Sequence, residues 1–442
     1  MSGARDSAQH GQAPRTQDPA ASGVRGARSR ALPGESGTVR ESEGPPLGGR
    51  KLWFVGIGGA GLSGYAILAK SLGAEVGGWD KVETPYLAYV REAGIEVEVR
   101  PDPFVPAGFE VIVSTAFAAR VEGRSRAEFL AELVSLHRAV VVAGAHGKTT
   151  TAAMIAFVLD RLGLDPGFLI GGEVPQLGGN ARAGKGLLVV EGDESDRTVF
   201  SLEPEIAVIT NVDLDHHTTF ASVAELEAEF DRWTERIPVV IRGDDVTTPP
   251  ELELTVPGEH NRVNAACALA ALEAVGVEST KSLRVLSEFR GVGRRLEARG
   301  EKGGVRIVDD YGHHPSEVAA SIAAARSLVG DGGRLLVLFQ PHLYSRTMHL
   351  AHELAAALAS ADVACVTDVY AAREEPVEGV SGKLIVDALA AVRPGMPIGW
   401  GPALDDAAAI LAARARPGDL VLTVGAGDVD KTIPLILEKL AA

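Results

Sequence analysis

Cysteine is almost missing from this chain. Cys267 and Cys365, two residues in 442, cannot build a disulfide framework or a thiolate metal cluster. Both sit in apolar stretches, AACALA and DVACVTD, which reads as buried core thiols in a reducing compartment. Aromatic residues are scarce at 5%, leaving little material for base-stacking surfaces. Positive charge is in deficit: 43 Lys and Arg against 59 Asp and Glu give a net charge of −16. A chain this acidic is poorly matched to nucleic acid or to an anionic membrane. No apolar run reaches the roughly 18 residues that span a bilayer. What is plentiful is Ala, Val and Leu, within a hydrophobic content of 46% that suffices for large cores. At about 150 residues per domain the length predicts about three domains. The expectation is a soluble, cytoplasmic, multidomain protein.

Residues 1 to 49 stand apart. They are rich in Gly, Ser, Ala, Arg and Pro, with no aromatic residue and no repeating apolar face. Such a segment cannot bury enough surface to offset its chain entropy, so it is expected to be a disordered tail, or the product of a misassigned start site. It lacks the continuous apolar core of a signal peptide. From Lys51 onward, strands alternate with helices: LWFVGIG, EVGGWD, EVEV and VIVSTA, then AVVVAG, GLLVVEGDESD and EIAVITNVDLDHH, then VRIVDDY, RLLVLFQPH, DVACVTDVY and LVLTVGAG. This alternation predicts parallel sheets covered on both faces. With joints near residues 138 and 292, the reading is three consecutive α/β domains, 50–138, 139–291 and 292–442: Rossmann-like, phosphate-loop ATPase-like and Rossmann-like.

Two glycine loops carry the first chemistry. Gly56, Gly58, Gly59 and Gly61 fit G-x-G-x-x-G between a strand and a helix, with Asp80 at the end of the next strand. Glycines let backbone approach a pyrophosphate, and the helix N-terminus favours its charge. Taken alone, this loop permits an NAD-dependent oxidoreductase. Gly144, Ala145, His146, Gly147, Lys148, Thr149 and Thr150 form a phosphate loop shorter than G-x-x-x-x-G-K-[ST]. Its N–H groups would cradle phosphates, with Lys148 as a point charge and Thr149 within reach of Mg²⁺. EGDESD from Glu191 and NVDLDHH from Asn211 end neighbouring strands, where an open α/β sheet gathers its ligands, and offer carboxylates and imidazoles to Mg²⁺. Asn261 and Asn264 are three residues apart on one predicted helix and present two amides to one side. They could read a purine edge, or Asn261 could cap the helix. DDYGHHP from Asp309 and QPHLYSR from Gln340 end two further strands.

Taken in order, GIGGAGLSG, AGAHGKTTT, EGDESD, NVDLDHH, GEHNRVNA, GVGRRLE, DDYGHHPSE, FQPHLYSRT, DVYAAREEPVEGVSG and GAGD resemble the Mur ligases of bacterial cell-wall synthesis across residues 51 to 442. The resemblance implies ATP-dependent joining of L-alanine to the carboxylate of UDP-N-acetylmuramate through an acyl phosphate, by a monomer or homodimer. It places the UDP diphosphate on Gly56–Gly61 with Asp80, and the terminal phosphates of ATP on Lys148 with Arg295. It implies Mg²⁺ held by Thr149 and Glu191, with a second ion held by Glu191 and His216. It puts adenine on His260, Asn261 and Asn264, the ribose on Asp310, and alanine on Tyr311, His313, His342 and Arg346. His313 is a candidate base for the attacking amine.

This chain departs from the family pattern in four places. The tract Val239 to Pro257 is short, so an edge strand or hairpin is expected to be missing. Leu343 stands where many relatives carry Arg, Leu296 replaces a usual Phe, and the segment after Ala116 lacks the usual Asn-Pro. Three readings stay open beside single-residue ligation: a ligase for a preformed peptide, an oxidoreductase using the first loop alone, and a nucleotide-binding regulator without turnover.

Overall fold

The computed structural model describes residues 44–214, 219–372 and 374–441. Three sheets follow one another along the chain. The first comprises β1 (Lys51–Val55), β2 (Glu75–Asp80), β3 (Glu96–Val99), β4 (Glu110–Val113) and β5 (Arg124–Ser125) in the order β3-β2-β1-β4-β5, and every pairing is parallel. Its helices are α1 (Ala60–Ser71), α2 (Tyr86–Glu92) and α3 (Arg126–Ser135).

The second sheet comprises β6 (Ala139–Ala143), β7 (Gly167–Val174), β8 (Gly179–Arg182), β9 (Leu188–Glu191), β10 (Ile206–Ile209) and β11 (Val239–Arg242), ordered β11-β10-β6-β9-β7-β8. Around it lie α4 (Lys148–Arg161), α5 (Val223–Thr234), α6 (Glu259–Ala274) and α7 (Ser279–Leu286). The third comprises β12 (Glu297–Lys302), β13 (Val305–Asp310), β14 (Leu335–Phe339), β15 (Val363–Val366), β16 (Ile398–Trp400) and β17 (Leu420–Val424), ordered β12-β13-β17-β14-β15-β16. It carries α8 (Pro315–Leu328), α9 (Tyr344–Leu358), α10 (Lys383–Val392), α11 (Leu404–Ala412) and α12 (Thr432–Lys439). Among the described residues, only the edge strands β8 and β12 pair antiparallel with their neighbours.

Strand β6 shows why these sheets are two-faced. All five of its residues are buried. Val140 and Val142 pack with Met154, Phe157 and Phe289, whereas Ala139, Val141 and Ala143 join a core containing Leu62, Tyr65 and Phe129 of the first unit. The period-two geometry of a strand thus lets one apolar run serve two cores, the second shared between the first and second units. Both cysteines are buried, Cys267 on α6 and Cys365 on β15. No described helix is long and apolar enough to cross a membrane.

The tail boundary needs correction. Residues 1–43 lie outside the described residues, but 44–49 belong to the folded unit. Leu47 is 1% exposed within the first core, and its N–H donates to Leu72 O at 2.9 Å. The tract from Val239 to Pro257 opens with β11, which pairs at the sheet edge, and residues 243–258 contain no strand.

Hairpin β7–β8 was not foreseen. Its side chains and backbone reach three neighbours. Asn180 Nδ2 donates to Ala60 O at 3.1 Å, and the Tyr89 hydroxyl donates to Glu173 Oε1 at 3.0 Å. Gly293 N–H donates to Glu173 O at 2.9 Å. Gln176 exchanges hydrogen bonds with Glu288 O at 2.9 Å and Arg290 N–H at 2.6 Å, on the connection to the third sheet.

Candidate active site

The phosphate loop runs from β6 into α4, with Gly147 as the helix N-cap at φ +81°. A Cβ there would collide with the Asn264 amide, so glycine is demanded by both conformation and space. The end of β10 fixes the loop: His146 N–H donates to Asn211 Oδ1 at 2.9 Å, and Asn211 Nδ2 donates to His146 O at 2.9 Å. Lys148 Nζ turns back onto Gly144 O at 2.6 Å and Glu194 Oε1 at 2.9 Å. Burial opposes its charge, but the carboxylates of Glu194 and Glu191 outweigh burial and hold its pKa above the ordinary lysine value. Thr149 Oγ1 donates to Glu191 Oε1 at 2.8 Å, and Gly171 N–H donates to Glu191 Oε2 at 2.6 Å. A hydroxyl and a carboxylate converging at a phosphate loop are hard oxygen donors that suit Mg²⁺. His216 lies outside the described residues.

A cavity of about 320 Å³ opens between the second and third units, with the phosphate loop at its floor. Asn261, Asn264, His260, Arg295 and Asp310 all line it, together with Leu296. Asn264 Nδ2 donates to Asn261 Oδ1 at 3.3 Å, so the two amides do share a face. Gly258, not Asn261, caps α6. Burial lowers the pKa of His260, favouring neutral imidazole. Asp310 accepts from Gly312 N–H at 2.8 Å and Leu296 N–H at 2.9 Å, which fixes its carboxylate at the rim.

The third unit gathers the remaining polar residues. The rings of Tyr311, His313, His342 and Tyr370 follow one another at centroid spacings of 5.7, 5.6 and 5.9 Å. Arg346 is buried and donates to His342 Nδ1 at 3.0 Å. Leu343, the N-cap of α9, holds φ +70° and ψ 136°, a strained backbone for a branched residue. Glu317 meets His313, His146 and Arg295 at 3.3, 3.3 and 3.6 Å. Burial opposes the Glu317 charge, but the interaction with His313, the hydrogen bond with His146 and the charge of Arg295 hold its carboxyl well below the usual range.

The first glycine loop is built differently. Asp80 Oδ2 accepts from Gly58 N–H at 2.8 Å, and Oδ1 accepts from Lys81 N–H at 2.7 Å. Asp80 therefore pins the loop from behind, instead of projecting as a free ligand. Gly56 holds φ +87°, and a Cβ there would meet Ser114 Oγ at 2.6 Å.

Four participants were missed by the sequence reading. Glu194 holds Lys148, and Glu317 holds the histidines. Ser316 contacts His146 across the cavity at 2.8 Å. Arg294, next to Arg295, points away: Nε donates to Asp309 Oδ2 at 2.9 Å and NH2 to Gly425 O at 2.8 Å, bracing the third sheet. The EGDESD string also divides its labour. Asp193 and Asp196 approach Arg126 of the first unit at 3.9 and 3.8 Å, whereas Glu191 and Glu194 face the phosphate loop.

Comparison with known proteins agrees with this layout. Residues 51–138 match the Mur ligase family catalytic domain, 142–248 the Mur ligase middle domain, and 294–427 the Mur ligase glutamate ligase domain. The UDP-N-acetylmuramate–L-alanine ligase of Streptomyces avermitilis is 37% identical, over 88% of this chain and 97% of its own. That of Kineococcus radiotolerans is 40% identical, over 88% and 96%. The crystal structure of the UDP-N-acetylmuramate–alanine ligase of Thermotoga maritima matches with a TM-score of 0.71 at 27% identity, over 88% of this chain and 98% of its own.

Proposed function

The chain belongs to the Mur ligase family, and we propose on that premise that it joins L-alanine to the carboxylate of UDP-N-acetylmuramate, driven by ATP. One observation carries the reading: relatives of that activity align along 88% of the chain, across all three units. A carboxylate cannot acylate an amine directly, because oxide is a hopeless leaving group. The substrate carboxylate oxygen attacks the γ-phosphorus, the bond to ADP breaks, and an acyl phosphate forms. The alanine nitrogen then adds to the acyl carbon, and the tetrahedral intermediate collapses with loss of phosphate.

Lys148 and Arg295 face the charge that gathers on the transferring group. Lys148 must leave the carbonyls of Gly144 and Ala145 to do so, and Glu194 keeps it charged meanwhile. Thr149 and Glu191 would hold Mg²⁺, which neutralises phosphate charge when bound. Arg346 takes the alanine carboxylate, and His313, steered by Glu317, takes the proton from its ammonium. Asn261, Asn264, His260 and Asp310 hold the nucleoside. The substrates are cytoplasmic metabolites by their chemistry, and each chain carries a full set of these groups.

Phosphate release with ATP, Mg²⁺ and UDP-N-acetylmuramate tests this, with L-alanine, glycine, L-serine or a preformed tripeptide as acceptor. L-Alanine is expected to be preferred, with some use of glycine and serine, since a methyl-sized pocket discriminates by about 1–3 kcal/mol. Faster release with the tripeptide, or none with any acceptor, overturns the reading.

A further inference from the structure

His146 from the phosphate loop, Asp213 four residues beyond β10, and His314 at the N-cap of α8 meet beside the cavity, where the second unit meets the third. Among the described residues, they are the one group of three His, Cys, Asp or Glu side chains whose donor atoms all lie within 4.8 Å of each other. We propose that this cluster binds a divalent transition-metal ion of the zinc class, distinct from the Mg²⁺ of the phosphate loop, and that the ion clips the second unit to the third.

The geometry supports a four-coordinate site. With metal–ligand bonds of about 2.0–2.2 Å, the donors of a tetrahedral zinc lie about 3.3–3.6 Å apart. His146 Nε2 to Asp213 Oδ2 is 3.4 Å, and His314 Nδ1 to Asp213 Oδ2 is 3.6 Å. Ser316 Oγ lies among the three, 2.8 Å from His146, 2.7 Å from His314 and 3.2 Å from Asp213. These are hydrogen-bond distances, shorter than the edges of such a site, so the hydroxyl marks the space the ion would take and yields it on binding, and a water fills the fourth position.

The donor set also chooses the ion. Two imidazoles and one carboxylate suit zinc, cobalt or nickel, whereas Mg²⁺ prefers oxygen throughout. Asp213 is an available anion, its pKa lowered to about 2, first by the hydrogen bond from His146 and then by the charge of His314. Behind His146, Glu317 Oε1 lies 3.3 Å from Nδ1. A carboxylate on the far nitrogen orients a metal-bound imidazole and raises its basicity. The two imidazole rings lie near parallel, 29° apart with centroids at 5.1 Å, so little turning is needed to bring both nitrogens onto one ion.

Because His146 and Asp213 belong to the second unit and His314 and Ser316 to the third, the ion would bridge the two units beside the cavity. Nucleotide exchange requires these walls to part. Zinc is therefore expected to raise the melting temperature and to slow turnover reversibly, both relieved by a chelator.

The test keeps Mg²⁺ and ADP saturating, so that the oxygen donors of the phosphate loop are already engaged. Zinc is titrated calorimetrically into the full chain, and Co²⁺ is added in parallel to read coordination from its visible absorption. The proposal expects one equivalent of zinc per chain and the intense visible bands of four-coordinate cobalt. It expects at least a tenfold loss of affinity in His314→Ala and in Asp213→Asn, with both variants still binding ADP. Equal zinc affinity in wild type and both variants overturns it. Should the variants fail to fold, the wild-type cobalt spectrum decides: weak bands of six-coordinate cobalt alone mean that the cluster is only a hydrogen-bonded contact between units, and the proposal falls.

Discussion

The two glycine loops share a plan and differ in what stands behind them. Each leaves a buried parallel strand, turns through glycine at positive φ (Gly56 in the first, Gly144 and Gly147 in the second), and opens a helix. Behind the first, Asp80 spends its carboxylate on the loop's own backbone. Behind the second, a lysine, a threonine and two glutamates stand ready around the phosphate position. On the proposed assignment, the first arrangement is a rigid seat that binds a diphosphate, and the second is a charged seat that can also react. The side chains around a glycine pattern, not the glycines, then decide what happens there.

The strongest way to break this contrast is Lys148→Ala. Removing a positioned charge from the transferring phosphoryl should raise the barrier by roughly 3 kcal/mol or more, a rate loss above about a hundredfold. UDP-sugar affinity should stay nearly unchanged, as read by calorimetry. Near-normal turnover would show that the second loop does not carry the chemistry.

Truncation probes how the first loop is supported, since Leu47 packs against the end of α1. Deleting residues 1–43 should leave the melting temperature unchanged. Deleting 1–48 should cost about 2 kcal/mol from the lost leucine and shift the midpoint down by several degrees. Equal midpoints would mean that Leu47 contributes no packing.

Asp80→Ala frees the N–H groups of Gly58 and Lys81. Losing hydrogen bonds to a charged acceptor costs about 1.5 kcal/mol or more, so KM for UDP-N-acetylmuramate should rise roughly tenfold. KM for ATP should stay put. A rise in the ATP value instead would reverse the assignment of the loops.

Arg346→Lys belongs to neither loop and sharpens the contrast by its selectivity. Lysine cannot reproduce a bidentate guanidinium–carboxylate contact. KM for L-alanine should rise by about tenfold, with the other two KM values much less affected. An alanine KM within about twofold of wild type would remove Arg346 from the amino-acid site.

The smallest effect concerns pH. His260 has its pKa lowered by burial from the ordinary value of 6.5. As pH falls below that value, the unfolded chain takes up the proton first, so stability present above it is lost toward the lower folded pKa. His260→Gln should flatten the decline between pH 6.5 and 5.5 by less than about 1 kcal/mol. An unchanged slope in urea melts would show that His260 titrates freely.

The second loop was easier to read than its surroundings, for physical reasons. Lys148, Thr149, Glu191, Asn261 and Asp310 sit at strand ends and helix starts, where alternating apolar runs point to them directly. Strands β7 and β12 escaped notice because GFLIGGEV is interrupted by paired glycines and EARGEK has no apolar face. The boundary at residue 44 was missed because one leucine between prolines and glycines makes no periodic signal. The His146–Asp213–His314 cluster could not be read at all. Its members are 67 and 101 residues apart in sequence and meet only because the third unit folds back over the second. Arg294 and Arg295 show the same limit at closest range: neighbours in sequence, with opposite duties.

The β7–β8 hairpin has a consequence for how this architecture can vary over evolutionary time. Its residues answer to the first unit through Asn180 and Tyr89, to the connection through Gln176, and to Glu191 through Gly171. An inserted residue there would flip every side chain beyond it and upset three neighbours together, so no single compensating change can rescue it. The tract from Gly243 to Gly258 faces the opposite situation, hanging from the outer strand of its sheet with no further strand to keep in register. Length change can accumulate at that margin and is barred from the hairpin.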